Sequence, residues 1–362
     1  MAQKYLALAL LVPLVACGGS GDGSNPINCG TLGTDNCTDT DTTTDTGGTT
    51  EDGEPISGDR GLPPGTESPA ADNSLFRYEP LGDGETAGSG YARAISYDAE
   101  NDEFFVDNLG FDGDNVYTRD NLVGSLGPYA VYENSESFDD PVTGAPIAQF
   151  AHKALYGVST NTDADGNPTT QFAIVRTGSY IEYGFGGYVY QRNGGVTLPD
   201  TGQAQYTGAY AALRDFNNLG GLEYATGDMT MAIDFEDFDA GDAVRGEVYN
   251  RRVFDDEGND ITIDVVTALE DKYGLDYTGL PVIRFVISPD ALDTNGELTG
   301  SVRSFVQTNS GSAEVYEDGN YYAVLSGDNA EEVVGIIAVT AEDPRAEGVT
   351  VRETGGFILY RP

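Results

Sequence analysis

The chain contains few of the residues from which catalytic and metal-binding sites are usually built. Its 362 residues include one histidine, His152, three cysteines and no tryptophan. A single histidine excludes zinc sites that need two or three imidazoles, and any Ser-His-Asp triad would have to use His152. No nucleophile elbow or recognisable pair of catalytic carboxylates is present. We therefore expect a protein that is not an enzyme, and a surface hydrolase is the last alternative.

Positive charge is also scarce. Eighteen Lys and Arg residues stand against 60 Asp and Glu residues, and the net charge is −42. Such a field repels nucleic acid and anionic lipid headgroups, so we expect no nucleic acid among the partners. Adaptation to salty surroundings would explain the acidity, and recognition of a cationic partner is the alternative.

Long apolar runs are absent apart from Tyr5–Ala16 near the N-terminus. This run is too short to span a bilayer and ends just before a cysteine, which is typical of a secretory signal. The stretch Leu14-Val15-Ala16-Cys17 resembles a bacterial lipobox, in which the cysteine is acylated and becomes the first mature residue. Because Gly18 rather than Asp follows, the resemblance implies sorting to the outer membrane. An uncleaved transmembrane anchor is the alternative.

After a signal peptide at residues 1–16, residues 17–73 are predicted to be a disordered tether. Gly, Ser, Thr, Asp, Asn and Pro dominate this segment, so it has too few apolar residues for a core. Such a tether would hold the following domains away from the lipid surface. Cys29 and Cys37 lie within it and form a possible disulfide in an oxidising compartment. A metal site is the alternative, but two thiols without a nearby histidine are a poor ligand set.

The remaining residues are predicted to fold almost entirely as strands. Apolar and polar residues alternate in Met229–Phe235, and similar patterns occur in Val282–Ile287 and Phe357–Tyr360. Glycine-containing turn signals separate such runs at hairpin spacing. The one helix candidate is Thr267–Tyr273. We expect an all-β antiparallel fold, with a boundary in residues 193–200 that separates a β-rich domain at 74–195 from an eight-stranded β-barrel at 196–362.

Short motifs in the later half resemble the β-barrel of the transferrin-binding protein B family of surface lipoproteins, to which factor H-binding protein is related. In order along the chain they are Ala204–Gly208 (AQYTG), Gly227-Asp228 followed by Ile233–Phe235, Val244–Val248 (VRGEV), Leu325–Gly327, Ala330–Gly335 (AEEVVG) and Gly355–Phe357. They cover residues 199–362, less than half of the chain.

This resemblance implies an N-terminal handle-like sheet domain followed by a C-terminal barrel, in a lipid-anchored protein at the cell surface. It also implies capture of a protein ligand or nutrient or iron carrier, without catalysis, and an outer-membrane receptor as a further partner. The membrane would be contacted only through the lipid anchor. Transferrin-binding protein B carries two such lobes, whereas this chain has room for one. Transferrin itself is therefore not implied as the ligand.

Two adjacent glutamates, Glu331 and Glu332, precede the apolar run Val333–Val339. Successive side chains of a strand point to opposite faces, so the two carboxylates could not flank one bond as a glycosidase pair does. We expect both to be structural.

No cofactor is expected, although haem and Ca²⁺ remain alternatives. His152 is predicted to lie on a strand face with Ala154 and Tyr156, and a structural role is favoured over that of an axial haem ligand. A small-ligand carrier that holds haem or another hydrophobic compound is nevertheless the second hypothesis. The acidic stretch Asp237–Asp242 is a candidate for Ca²⁺ binding, because carboxylates suit this ion. It does not match an EF-hand, since Val248 lies at the position where an EF-hand requires glutamate.

The aromatic run before residue 193 is the main candidate for partner binding. It contains Tyr180, Tyr183, Phe185, Tyr188 and Tyr190. Tyrosines often act as hot spots in protein interfaces, and packing of rings across glycines within a sheet is the alternative. The doublet Arg251-Arg252 is a second candidate, because it concentrates positive charge in an acidic chain.

The lipobox yields a direct test. We expect Cys17→Ser to leave an unlipidated precursor in the inner membrane or periplasm, because the thiol is the group that is acylated and stable attachment depends on its chains. Fractionation of cell membranes checks this. Recovery of the variant in the outer membrane at the level of the original protein would contradict the prediction.

Overall fold

The computed structural model describes residues 62–82, 89–110, 112–134, 137–139, 141–144, 146–148, 152–178, 183–236, 243–288 and 290–362. The predicted signal peptide, Cys17, Cys29, Cys37 and most of the predicted tether lie outside these residues. So do Tyr180 and the acidic stretch Asp237–Asp242. Within the described part, no helix has the length and apolar character needed to cross a membrane.

The first half of the described chain forms an open, curled antiparallel sheet. Its nine strands are β1 (Leu75–Tyr78), β2 (Ala94–Asp98), β3 (Glu103–Asp107), β4 (Val116–Arg119), β5 (Ser125–Leu126), β6 (Tyr129–Asn134), β9 (His152–Val158), β10 (Thr170–Arg176) and β11 (Gly186–Arg192). The strand order is β1-β11-β10-β9-β6-β4-β3-β2, and β5 pairs with β6. Strands β7 (Ser137–Asp139) and β8 (Pro146–Ala148) form a separate hairpin.

The second half closes into an eight-stranded antiparallel barrel in which every strand pairs with its neighbour in sequence. Its strands are β12 (Gln203–Asn217), β13 (Glu223–Asp234), β14 (Val244–Phe254), β15 (Ile283–Phe285), β16 (Glu297–Gln307), β17 (Ala313–Ser326), β18 (Glu332–Glu342) and β19 (Thr350–Tyr360). Pairing of β12 with β19 closes the barrel. The predicted all-β fold, with a sheet followed by an eight-stranded barrel, is confirmed.

Helix α1 (Thr262–Tyr273) joins β14 to β15 and starts five residues before the predicted position. Its start was missed because Ile261, the residue at the N-cap, makes no side-chain capping hydrogen bond. Asp260 instead accepts a hydrogen bond from the backbone N–H of Thr262 at 3.0 Å. The C-terminus follows the usual rule, because Gly274 adopts the left-handed conformation there.

Alternation along β13 builds the barrel core. Met229, Met231, Ile233 and Phe235 all point inward and are no more than 3% exposed, as predicted. Strand β15 is shorter than the predicted strand Val282–Ile287. Pro281 lies just before this segment and lacks the N–H that would extend the ladder at its N-terminal end. Beyond the C-terminal end, the N–H of Val286 still donates to the carbonyl of Ser301 at 2.8 Å.

The sheet packs against the outside of the barrel and creates a second apolar core between them. Strands β9, β10 and β11 lie over β12 and β17–β19. In the described part of the chain, seventeen buried side chains form this interface core, among them Leu155, Phe172, Ile174, Val334 and Ile358. The strands β18 and β19 therefore bury both faces, which explains the continuous apolar run Val333–Val339 of β18.

Phe172 of β10 fits between two glycines, one on each side of the interface. A Cβ at Gly356 of β19 would lie 2.1 Å from the Phe172 ring, and a Cβ at Gly157 of β9 would lie 2.3 Å from it. The ring is fully buried and packs edge to face on Tyr129 at 4.9 Å. The close approach of sheet and barrel thus requires the absence of a side chain at Gly356.

We expect Gly356→Ala to destabilise the protein by about 1–3 kcal/mol, because the added methyl group overpacks the Phe172 ring. Phe172→Leu removes ring atoms, so the double variant should lose less than the sum of the two single losses. Urea denaturation of the four proteins measures this coupling. Gly279→Ala is the matched control, since a Cβ at Gly279 would meet no atom within 4 Å. Additive losses would contradict the proposed packing.

Candidate functional site

The predicted aromatic run is split between the two faces of the sheet. Tyr188 and Tyr190 on β11 point toward the barrel and are 2% and 0% exposed. Tyr188 stacks on Tyr322 of β17 with ring centroids 6.3 Å apart. Tyr188 and Tyr190 therefore pack in the interface core and present almost no surface to a partner. The role of Tyr188 and Tyr190 in partner binding remains a prediction.

Tyr183 also contacts the barrel. Its hydroxyl lies 2.6 Å from Oγ1 of Thr350, and the Arg352 guanidinium lies 4.7 Å from the centre of its ring. Tyr183 and Gly184 both have positive φ angles, 62° and 68°. This turn places Tyr183 on the barrel and lets the chain reverse before β11.

Phe185 lies on the other face of the sheet, away from the barrel. It packs edge to face on Tyr91 at 5.2 Å, and Tyr78 lies 6.0 Å from Phe76 in the same region. We call these four half-buried rings, together with Arg93, the aromatic rim. The Arg93 guanidinium is 4.6 Å from the centre of the Tyr78 ring, which is cation–π geometry.

Sequence reasoning found Phe185 and missed the other members of the rim. Phe76 and Tyr78 come from β1, whereas Tyr91 and Arg93 precede β2. The alternation of side chains along Leu75–Tyr78 could have identified the two rings of β1 from the sequence. Leu75 and Arg77 face the barrel, and Phe76 and Tyr78 therefore face away from it.

The two arginines of the doublet have different environments. Arg251 points into the barrel, where it forms ion pairs with Glu317 at 2.7 Å and Glu353 at 2.9 Å. It is 6% exposed, so it has little surface for a partner. Arg252 points outward, pairs with Asp260, and lies 5.3 Å from the centre of the Phe254 ring.

Arg252 lines an open cleft of about 720 Å³ where the sheet meets the barrel. We call it the junction cleft. One wall is the segment Leu122–Gly127 of the sheet domain, and the floor comes from β12, β13 and β14 of the barrel. The barrel turn at Glu257 and Gly258 forms the other wall. Its size is typical of a ligand-binding cavity.

Side-chain hydrogen bonds hold both walls in place. Asp120 accepts backbone N–H bonds from Leu122 at 2.7 Å and Val123 at 3.0 Å, and its carboxylate is paired with Lys153 at 2.5 Å. Across the cleft, Asp255 accepts backbone N–H bonds from Glu257 at 3.1 Å and Asn259 at 2.8 Å. The cleft is therefore shaped before any ligand enters.

The adjacent glutamates before the apolar run have separate environments. Glu331 is exposed, whereas Glu332 is 1% exposed and bridges the barrel to the sheet. Glu332 accepts hydrogen bonds from Ser159, Thr169 and Asn161, the last at 3.1 Å. Burial raises its pKa, and these donors oppose that rise in part.

His152 is 2% exposed at the start of β9. Its Nε2 lies 3.2 Å from the carbonyl oxygen of Gly110, and its ring is edge to face with Tyr117 at 6.3 Å. Within the part of the chain that the structure describes, no cluster of three His, Cys, Asp or Glu residues could hold a metal ion.

A buried charge pair lies beside Tyr190 in the interface. Arg77 of β1 donates two hydrogen bonds of 2.7 Å to Glu297 of β16. Asp293, just before β16, accepts backbone N–H bonds from Asn295 at 2.9 Å and Glu297 at 2.8 Å. Burial, and then the charge of Glu297, raise the pKa of Asp293 from 3.8 to about 6.

The fold is similar to solved structures of transferrin-binding protein B. A double mutant from Haemophilus parasuis Hp5 has 13% identity and a TM-score of 0.34, over 72% of this chain and 40% of that chain. Intact Ap-TbpB, with its N and C lobes, has 15% identity and a TM-score of 0.30, over 67% and 40%. A mutant from Actinobacillus pleuropneumoniae H49 has 14% identity and a TM-score of 0.27, over 56% and 80%.

The chain spans 40% of the length of the first two structures. All three structures belong to the family that the barrel motifs resemble, and the similarity is one of fold. No family model matches the chain, and no curated protein matches it.

The environment of Asp293 predicts a pH effect. Its folded-state pKa of about 6 exceeds the ordinary value of 3.8, so the native state binds the additional proton between these pH values. Asp293 therefore makes its full contribution to the free energy of unfolding below pH 3.8, where it is protonated in both states. This contribution is lost as pH rises toward 6, by roughly 1–3 kcal/mol. Asp293→Asn removes this titration and keeps a carbonyl oxygen for the two N–H donors.

We expect the stability of Asp293→Asn, relative to the original protein, to increase as pH rises from about 4 to about 6 and then to level off. Urea denaturation across this range measures the difference. Asp165→Asn, on an exposed turn, controls for the loss of one negative charge. A difference that does not vary with pH would contradict the expected role of Asp293.

Proposed function

We propose that this chain is a non-catalytic binding protein of the outer membrane surface, anchored by lipid at Cys17, that captures a protein ligand through the aromatic rim. The barrel and the attached sheet act as the scaffold. The ligand would be a host protein or a carrier of iron or another nutrient.

The composition of the rim is the observation that carries this proposal. Phe76, Tyr78, Tyr91 and Phe185 are half-buried rings that share one region with Arg93. Tyrosine and arginine are enriched among residues that dominate the binding energy of protein interfaces. Rings that are partly packed already lose little side-chain entropy on binding, which favours affinity.

Loss of the rim should weaken capture without unfolding the protein. We expect the double variant Tyr91→Ala/Phe185→Ala to lose affinity by on the order of 2 kcal/mol per hot spot. The chain from Gly18 to Pro362, without the signal peptide and Cys17, serves as bait in the native growth medium, and enriched proteins are identified and titrated individually. A thermal melt of each variant separates weaker binding from unfolding.

Phe305→Ala is the matched control, because Phe305 is a 49% exposed ring on β16 and lies outside the rim. It should retain full affinity. The proposal fails if no protein is enriched over a denatured bait, or if the folded rim variant captures the same protein with unchanged affinity.

A further inference from the structure

We infer that the junction cleft binds a short, extended, basic segment of a protein partner. In this arrangement a Lys or Arg side chain of the segment pairs with one of the two carboxylates, Asp228 or Glu257, under the attraction of the other, and a neighbouring apolar side chain packs on Leu122. The inference rests on the proposed function only in that the segment belongs to a captured protein. The cleft is a site separate from the aromatic rim.

Charge determines which ligand the cleft favours. Asp228 and Glu257 line it and are exposed. Among the described residues that line the cleft, Arg252 is the one basic residue, and it is already paired with Asp260 and lies over the ring of Phe254. The positive charge of Arg252 is neutralised by this pairing, so the two carboxylates dominate the charge of the cleft. In a chain of net charge −42, the cleft therefore attracts a cationic group and repels an anionic one.

An apolar wall faces these carboxylates. Leu122 is 68% exposed on the sheet side, and the buried Val123 and Leu126 lie beside it. The hydrogen bonds from Leu122 and Val123 to Asp120 hold this wall rigid. An amphipathic segment with adjacent basic and apolar side chains matches both walls, whereas a small cation would leave Leu122 in water.

Backbone geometry in the cleft favours an extended segment. Strand β5 pairs with β6 along one edge, through Ser125 with Ala130 and Leu126 with Tyr129, and no pairing of its other edge occurs among the described strands. The residues of β5 line the cleft. The cleft is also lined by the bulge between Thr226 and Asp228 in the ladder of β13 with β14. Backbone N–H and C=O groups at an open edge and at a bulge are suited to another extended chain.

The test uses a fluorescein-labelled pentapeptide amide, Gly-Leu-Arg-Leu-Gly, as a defined probe. Fluorescence anisotropy is measured at low ionic strength with the same soluble chain from Gly18 to Pro362. We expect saturable binding that weakens as salt is added. Replacing the peptide arginine by glutamate should abolish binding, and arginine amide should compete poorly because it lacks the apolar side chains and the extended backbone.

Two isosteric variants locate the site. Asp228→Asn and Glu257→Gln should each weaken peptide binding by about two- to fivefold, the range of a single exposed ion pair. Glu314→Gln is the matched control, because Glu314 is an exposed residue on β17, across the barrel from β13. It should leave binding unchanged. Urea denaturation of the variants verifies that each is folded.

The inference is overturned by any of four results. These are no saturable binding of the basic peptide, equal binding of the glutamate peptide, undiminished binding in both cleft variants, and competition by arginine amide as strong as by the peptide. The rim variant Tyr91→Ala/Phe185→Ala separates the two proposals. Peptide binding by that variant, together with failure of protein capture by the original chain, would leave the cleft site in place and remove the aromatic rim.

Discussion

Close packing of the sheet on the outside of the barrel is the constraint on which the rest of the structure depends. Phe172 reaches the backbone of β19 because Gly356 has no side chain, and this contact lets the apolar faces of β10 and β19 meet. Without the sheet, the barrel would expose Val334, Ile336 and Ile358 to water. The two halves therefore form one structural unit that shares a core, although their strands belong to separate sheets.

Buried charges specify how the two halves align. The pair of Arg77 and Glu297 joins β1 to β16, and Arg176 of β10 contacts Glu79 at 2.9 Å and Thr354 of β19 at 2.7 Å. Desolvation makes such pairs weak sources of net stability, but a misaligned interface would leave the same charges buried and unpaired. Their contribution is therefore to the uniqueness of the packing. An interface held in one arrangement also keeps the neighbouring surfaces in one shape.

Both candidate binding regions depend on this interface without being part of its core. The aromatic rim lies on the face of the sheet opposite the barrel, and the turn at Tyr183 that leads into Phe185 is attached to Thr350 of β19. The junction cleft lies where the sheet and the barrel diverge, between Leu122 and Phe254. A rigid scaffold reduces the entropy lost when a ligand binds at either place. Two separate regions could contact one large ligand together, which would raise the overall affinity through effective concentration.

The sequence by itself determined the strand pattern, the barrel core and the order of the two sheets, because alternation along strands such as Met229–Phe235 is a local property. It also proposed Phe185 and Arg252 as candidates for partner binding, and the structure leaves Phe185 half-buried and Arg252 exposed. Only the tertiary structure decided that Tyr188, Tyr190 and Arg251 are buried, since residues distant in sequence cover them. Aromatic and arginine side chains suit a partner interface and a domain interface equally well, so their type alone cannot distinguish the two. The outcome depends on which face of each strand meets the barrel, and that is a property of the assembled sheets.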